Sequence, residues 1–251
     1  MQRRRLGLHP LSQIPRFYAD QPLQAGGSCL LPEEAAHHGI HVLRLRTGAE
    51  VTLFNGRGGE YSARISSIQK LKVAVEVLDH RAVEREAPLQ VVLVQGVSSG
   101  ERMEFTIRKA VELGVAEIRP VLATASVARP KGERAAARQG HWQKIAISAC
   151  EQCGRNRVPV VHPLSDVFSL GLQDPLKILL SPGSELAFSK IVKPAGSIAL
   201  AAGPEAGFDE KEEAALLGAG FVPARLGPRI LRTETAALAA LAALNALQGD
   251  F

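Results

Sequence analysis

The fold follows most directly from two glycine-proline loops, Leu200-Ala-Ala-Gly-Pro-Glu-Ala-Gly-Phe208 and Leu226-Gly-Pro-Arg-Ile-Leu-Arg-Thr-Glu-Thr-Ala236. Each loop follows a short apolar run, Ser197 to Ala202 in the first case and Phe221 to Leu226 in the second. Each also precedes a helical pattern of apolar residues. The sequence therefore predicts the arrangement strand, loop and helix twice in succession.

Glycine and proline determine what these loops can do. Gly203, Gly207 and Gly227 allow backbone to come close to a ligand, while Pro204 and Pro228 restrict the loop conformations. Such loops can hold an adenine and a ribose through backbone groups. A single Gly-Pro pair also marks ordinary turns, but two loops in this order, closed by Arg-Thr-Glu-Thr-Ala, are much harder to obtain by chance.

The two loops resemble the second and third motifs of the SPOUT (trefoil-knotted) methyltransferases, in the form carried by the 16S rRNA uridine-N3 methyltransferase family, RsmE. Three more stretches are similar to this family's opening, first methyltransferase motif and central helix: Ile14 to Tyr18, Gly100 to Gly114 and Trp142 to Arg157. The resemblance spans almost the whole chain. One departure is Ala206, where the family usually has glycine; a positive φ there would strain an alanine.

This resemblance implies an α/β fold. It divides the chain into an N-terminal extension (1–15), a PUA-like β-barrel RNA-binding domain (16–86) and a parallel-sheet SPOUT methyltransferase domain (87–251) with a C-terminal trefoil knot. It also implies S-adenosyl-L-methionine as cofactor and methylation of N3 of one uridine in 16S rRNA of the small ribosomal subunit. The active form in this family is a homodimer whose cofactor pocket lies beside the interface.

The resemblance also assigns residues to the cofactor, in and before the two loops: Leu180, Gly203, Glu205, Gly207, Leu226, Gly227, Ile230, Leu231 and Thr233. Methyl transfer needs an electron-rich acceptor, and uridine N3 carries a proton at neutral pH. A carboxylate could remove that proton and an arginine could stabilise the anion, so Arg229, Arg232 and Glu234 are the candidate catalytic residues. Two alternatives remain: an ion pair between Arg232 and Glu234, and a helix start capped by Thr233 with Glu234 in its first turn.

Basic residues suggest an acidic partner, since the net charge is +5 and the pI is about 9.3. They gather at Arg3 to Arg5, at Arg129, Lys131, Arg134 and Arg138, and at Arg155 and Arg157. Guanidinium groups can bind phosphates and asparagine can read a base edge. The predicted RNA-binding residues are Arg16, Arg44, Arg46, Arg155, Asn156 and Arg157. The alternatives are solvated basic faces and, at Arg155 to Arg157, a basic helix end that complements the helix dipole.

Composition excludes several classes of protein. In 251 residues with 46% hydrophobic content, no run approaches the roughly 18 apolar residues of a membrane span. Residues 1–6 lack the apolar stretch of a signal peptide, and three cysteines make no disulfide framework, so we expect a cytoplasmic protein.

We expect no metal site. Cys150 and Cys153 could form half of a zinc site, but Cys29 is the only other cysteine and belongs to the other domain. His37, His38 and His41 lack a carboxylate that would complete a metal site.

The remaining sequence patterns predict secondary-structure elements. Residues 26–79 read as short strands, with a hairpin turn at Asn55-Gly56 in place of a dinucleotide loop, because Tyr61 stands where the last glycine of that motif belongs. His80 to Pro88 is a predicted linker, and strands alternate with helices after it, which predicts a mostly parallel sheet. Glu234 to Leu247 is apolar almost all round, so we expect it to be buried all round, at a subunit interface or in the core of one chain.

Two other functions remain open at this point. One is a related knotted enzyme with a different RNA acceptor, such as a ribose 2′-hydroxyl. The other is a non-catalytic RNA-binding protein that retains the fold. Mapping of the modified nucleotide separates the first from a uridine-N3 enzyme, and cofactor affinity tests the second.

Overall fold

The structure, a computed structural model, describes residues 14–126 and 129–251. In it the chain divides into two units, the first ending at Glu84 and the second beginning at Arg85. The basic cluster Arg3 to Arg5 and all but the last two residues of the predicted N-terminal extension lie outside the described residues. Within the described ranges, no helix combines the length and the apolar character needed to cross a membrane.

A sheet of five strands forms the first unit, because its strands alternate apolar and polar residues. Val73, Val75 and Val77 are at most 1% exposed and face the core, whereas Glu76 between them is exposed. The elements are β1 (Arg16–Tyr18), β2 (Ser28–Leu30), α1 (Glu33–His37), a π-helical turn (His38–Val42), β3 (Glu50–Phe54), β4 (Glu60–Gln69) and β5 (Lys72–Arg81). The strand order is β1-β3-β4-β5-β2, with β1 parallel to β3 and the other neighbours antiparallel.

The predicted hairpin at Asn55-Gly56 is confirmed. Residues 55–59 join the antiparallel strands β3 and β4, and the Asn55 side chain accepts a hydrogen bond from the backbone N–H of Arg57. The predicted linker is wrong at its start, because β5 continues to Arg81 and pairs there with Glu60.

A sheet of seven strands, all in parallel pairs, organises the second unit, as the alternating pattern predicted. Its elements are β6 (Gln90–Gly96), α2 (Gly100–Glu112), β7 (Glu117–Leu122), α3 (Glu133–Cys153), β8 (Val160–Val161), β9 (Ser165–Asp166), a 3-10 turn (Val167–Ser169), β10 (Leu176–Leu180), α4 (Phe188–Ile191), β11 (Ser197–Ala202), α5 (Glu210–Gly218), β12 (Val222–Ala224) and α6 (Thr233–Gln248). The predicted trefoil knot involves the path of the chain and stays a prediction.

The strand order β12-β10-β11-β6-β7-β8 places a topological switch between β6 and β11. From β6 the chain proceeds outward to β7 and β8, and it later returns to the other side of β6. Because every pairing is parallel, the strands all end at one edge of the sheet, which we call the carboxyl edge, and begin at the opposite amino edge. Ligands of open parallel sheets bind at the carboxyl edge, next to the switch.

Helix α6 is buried on one face only. Ala237, Ala240, Leu241 and Leu244 are at most 1% exposed, whereas Leu247 is 56% exposed. The expectation that α6 is buried on every side is therefore wrong for a single copy of the chain. The face left open still carries only alanine, leucine and polar uncharged side chains after Glu234.

Candidate active site

A cavity of about 680 Å³ opens at the carboxyl edge of the parallel sheet, within the range of about 300 to 1,000 Å³ typical of small-molecule sites. The end of β10, the two glycine-proline loops and the start of α6 form its walls. All nine residues that were predicted to bind the cofactor line it: Leu180, Gly203, Glu205, Gly207, Leu226, Gly227, Ile230, Leu231 and Thr233. The sequence places them in three separate segments, and the fold brings them together.

The first loop is tightly constrained by backbone. A Cβ on Gly203 would lie 3.0 Å from the Cα of Gly207, and a side chain on Gly96, at the end of β6, would collide with Gly203 and Pro204. Gly207 has a positive φ angle of 79°, whereas the φ angle of Ala206 is not positive. Ala206 is therefore unstrained in this loop, and glycine is required beside it instead.

The second loop is more open. Gly227 has φ of 80°, which favours glycine, and a Cβ there would meet no atom within 4 Å. Ile230 is 85% exposed at the wall of the cavity. An isoleucine this exposed provides apolar surface that a ligand or a second chain can cover.

A chain of hydrogen bonds connects β6, α6 and the first loop. Gln95, fully buried in β6, donates from Nε2 to the carbonyl of Gly96 and to Oγ1 of Thr233, both at 3.0 Å. The Thr233 hydroxyl in turn donates to the carbonyl of Gly203. Thr233 is therefore not a helix cap: the residue at the cap position of α6 is Arg232, and no side chain caps the helix.

The carboxylate of Glu205 anchors the same loop to α2. It accepts hydrogen bonds from the backbone N–H of Ser99 at 2.9 Å and from Nη1 of Arg102 at 3.2 Å. Partial burial acts to raise the pKa of Glu205, but hydrogen bonds from the Ser99 and Glu205 backbones, with the charge of Arg102, outweigh it and lower the pKa below its ordinary value. The carboxylate thus stays ionised and fixes the loop.

Two of the three candidate catalytic residues line the cavity, and the third does not. Arg229 and Arg232 line the cavity and are exposed, so both guanidinium groups can reach a ligand. Glu234 lies one residue beyond Thr233 in the first turn of α6 and is not part of the lining, although its Oε2 is buried without a hydrogen-bond partner in the described residues. No ion pair joins Arg232 to Glu234 within the described ranges.

Arg155 and Asn156, which were predicted to contact RNA, are buried in the structure. Arg155 is 5% exposed and donates from Nε to the Glu86 carboxylate at 2.9 Å and from Nη1 to the carbonyls of Val111 and Val115. Asn156 is fully buried. Both side chains therefore hold the fold together. Only Arg157 of this segment is exposed, and its backbone N–H also donates to Glu86.

In the first unit, Arg16, which was predicted to contact RNA, is held by other side chains of the chain. Its guanidinium forms an ion pair with Glu60 at 2.6 Å, with 13% of the side chain exposed, and lies over the ring of Phe54. Arg44 and Arg46 are exposed just after the π-helical turn. Arg44 has φ of 54°, a strained conformation for a residue other than glycine.

Some residues of the cavity were missed from the sequence. They are Arg102, Ser181, Pro182, Gly183, Phe208 and Glu213. Arg102 lies in the segment that resembles the first methyltransferase motif, and this was a usable signal. The Ser181-Pro-Gly183 turn after β10 contains glycine and proline, as the two loops do. It was missed because no long motif surrounds it.

No group of three or more His, Cys, Asp or Glu side chains that could hold a metal ion occurs among the described residues. The rings of His37 and His41 lie 4.6 Å apart, centroid to centroid. Cys150 is buried and Cys153 is partly buried. The pKa of the Cys153 thiol is raised, mainly because the thiol is removed from water.

Comparison with known proteins agrees with this architecture. The family described as RNA methyltransferase domain matches residues 85–245, and the family described as RNA methyltransferase PUA domain matches residues 31–78. Fold and cavity together define an RNA methyltransferase whose catalytic domain follows a PUA domain.

Similarity to individual proteins shows which family of RNA methyltransferases is involved. The chain is 34% identical to ribosomal RNA small subunit methyltransferase E of Buchnera aphidicola (from Acyrthosiphon pisum) over 95% of this chain and 96% of the relative. It is also 34% identical to the Bacillus subtilis protein of that name, over 92% and 96%. The chain belongs to the ribosomal RNA small subunit methyltransferase E family.

Two solved structures are similar to the whole chain. One is ribosomal RNA small subunit methyltransferase E from Neisseria gonorrhoeae bound to S-adenosyl methionine, with a TM-score of 0.87 and 41% identity over 95% of this chain and 100% of that chain. The other is a methyltransferase from Legionella pneumophila in complex with SAM, with a TM-score of 0.92 and 38% identity over the same shares.

Proposed function

We propose that this protein transfers a methyl group from S-adenosylmethionine to N3 of a specific uridine in 16S rRNA of the small ribosomal subunit. The observation that carries the proposal is the cavity at the carboxyl edge. It is built from the two glycine-proline loops, and relatives at 38% and 41% identity were solved with this cofactor bound. We place the reaction in the cytoplasm, where a protein that acts on small-subunit rRNA would meet its substrate.

The residues of the cavity fit the cofactor. Gly203 and Gly227 leave backbone groups accessible at its wall, and Leu180, Leu226 and Ile230 offer apolar surface to an adenine. When bound, S-adenosylmethionine supplies an electrophilic methyl group on its sulfonium.

The chain's own residues must prepare the acceptor. Uridine N3 becomes nucleophilic once it loses its proton, and the negative charge then spreads to O2 and O4. The guanidinium groups of Arg229 and Arg232 are exposed at the cavity and can stabilise that charge. Glu234 stays the proposed proton acceptor; it follows the cavity-lining Thr233 in the first turn of α6, so it would have to reach the acceptor from just outside the lining.

We further propose that the active form is a homodimer. The open face of α6 is uncharged after Glu234, and Leu247 and Ile230 are 56% and 85% exposed. A second copy of the chain would cover such surface, in keeping with the interface that family resemblance implies beside the cofactor pocket.

The decisive experiment maps the modified nucleotide. Small subunits from cells that lack this protein are incubated with purified protein and S-adenosylmethionine, and the 16S rRNA is digested and analysed by mass spectrometry. We expect one new 3-methyluridine. A new 2′-O-methyl group would identify a different acceptor, and the absence of both cofactor binding by calorimetry and methylation would leave a non-catalytic RNA-binding protein.

A further inference from the structure

The two edges of the parallel sheet differ in access to the cofactor cavity. The cavity is built at the carboxyl edge, from residues that follow β10, β11 and β12. Arg155 and Arg157 line a separate cavity with Gln90, where β6 begins, and with Ala116, just before β7. They therefore lie at the amino edge, one strand length from the cavity. A strand of six or seven residues spans about 20 Å.

A second basic group follows the carboxyl end of β7 in the chain. Strand β7 ends at Leu122, and the segment after it leads into α3. Lys131, Arg134 and Arg138, which we call the α3 patch, occupy this segment and the first two turns of α3. Lys131 and Arg134 are exposed and Arg138 is half-buried.

Among the described residues, no carboxylate pairs with the α3 patch. No ion pair involves Lys131, Arg134 or Arg138 over the described residues. Arg134 and Arg138 are four residues apart, hence on one face of the helix, where like charges destabilise it. An uncompensated pair of this kind is suited to an external anion.

The segment that carries the patch is held to the rest of the carboxyl edge. Thr124 donates from its backbone N–H to Oε1 of Glu212 in α5 at 2.6 Å. Glu212 is 3% exposed and also accepts from the backbone N–H of Asp209 at 2.9 Å. Arg129 donates from Nη2 to the carbonyl of Ala123 at 2.9 Å. The start of the segment is thereby fixed between β7 and α5.

We propose that the α3 patch binds the phosphate backbone of the rRNA substrate and is the RNA-contacting surface of the methyltransferase unit. This inference rests on the proposed function. An acceptor base at the cofactor cavity requires its RNA strand to pass along the carboxyl edge, and the segment that carries the patch starts from that edge, after β7. Arg155 is engaged with Glu86, and Arg157 lies at the opposite edge.

The test compares two double variants with the same change of net charge. Arg134→Gln with Arg138→Gln neutralises the patch, and Arg157→Gln with Lys193→Gln neutralises two exposed cations on the amino side. Binding of 16S rRNA is measured by fluorescence anisotropy at several salt concentrations. Melting temperature and calorimetric affinity for S-adenosylmethionine are recorded for each protein, and Arg134→Lys with Arg138→Lys serves as the charge-conserving control.

We expect the patch variant to lose about 1.4 to 1.8 units of the slope of log affinity against log salt, because each lost phosphate contact accounts for about 0.7 to 0.9 units. Its cofactor affinity should match wild type, its melting temperature should be equal to or slightly above that of wild type because the like-charge pair is removed, and the lysine variant should keep the slope. A wild-type slope in the patch variant, or an equal or larger loss in the amino-side variant, would overturn the inference. Wild-type protein that binds rRNA without methylating it would refute the proposed function instead.

Discussion

Arg232 is the residue on which the proposed chemistry depends most. It lies at the cap position of α6 and is exposed at the cavity. Arg232→Ala should lower turnover by about 10²- to 10³-fold, the usual effect of removing one preorganised contact to a developing anion. Affinity for S-adenosylmethionine should change far less.

The pH dependence separates this role from a structural one. Raising the pH should partly restore turnover of Arg232→Ala, because the uridine then ionises with less help. Initial rates at saturating substrate over a pH series measure this. Turnover near wild type, or a defect that does not vary with pH, would assign Arg232 a structural role.

Thr233 should control cofactor affinity through the carbonyl of Gly203. Its hydroxyl joins buried Gln95 to the first loop, so Thr233→Val leaves the Gly203 carbonyl and the Gln95 amide without this partner. Loss of a buried hydrogen-bond partner costs about 1 to 3 kcal/mol, and we expect S-adenosylmethionine to bind about tenfold more weakly by calorimetry. Thr233→Ser retains the hydroxyl and should bind nearly as wild type. Equal affinity of the valine and serine variants would contradict this role.

At the scale of elements, the two loops should respond differently to an added methyl group. Gly203→Ala places a Cβ 3.0 Å from the Cα of Gly207, so the loop itself must shift and both cofactor affinity and melting temperature should fall. Gly227→Ala meets no atom within 4 Å and costs about 1 to 2 kcal/mol through its positive φ. Gly218→Ala, in α5 with open space around it, is the control. Wild-type cofactor affinity in both loop variants would contradict the placement of the cofactor.

The open face of α6 should hold two chains together. Light scattering at micromolar concentration should report twice the chain mass of 26.8 kDa. Leu247→Glu introduces a charge where the helix has an apolar side chain 56% exposed, and it should shift the protein toward monomer. The matched control is Leu217→Glu on α5, where the leucine is 47% exposed. A wild-type protein that is a stable, active monomer would refute the dimer.

The sequence predicted local features far better than long-range partners. Strand β11 begins and ends as predicted, and the residues of both loops meet at one cavity, because apolar runs, Gly and Pro act over short distances. The burial of Arg155 could not be foreseen, because its partner, Glu86, is 69 residues away and burial depends on the packed fold. Periodicity also could not show that one face of α6 stays open, since alanine and leucine suit a core and an interface equally.

At the scale of the whole molecule, we expect RNA affinity to come from the first unit as well as from the second. Arg44→Gln with Arg46→Gln should reduce the salt slope of rRNA binding by about 1.4 to 1.8 units if both arginines contact phosphates. Lys70→Gln with Lys72→Gln is the matched control, because both lysines are exposed in the same unit and Lys70, like Arg44, has positive φ. Titrations at several salt concentrations measure both. An identical slope in the two variants would mean that Arg44 and Arg46 do not contact RNA.

The switch in strand order also determines when the protein can become functional during its own synthesis. Strand β6 pairs with β11, and Gln95 bonds to Thr233 across 138 residues. A ribosome therefore releases β6 long before its partner strand β11 exists, and the nascent sheet has an unpaired apolar edge at β6 during that time. Such edges are prone to aggregate. Cofactor binding must wait until residue 236 has left the exit tunnel, because α6 supplies the last wall of the cavity.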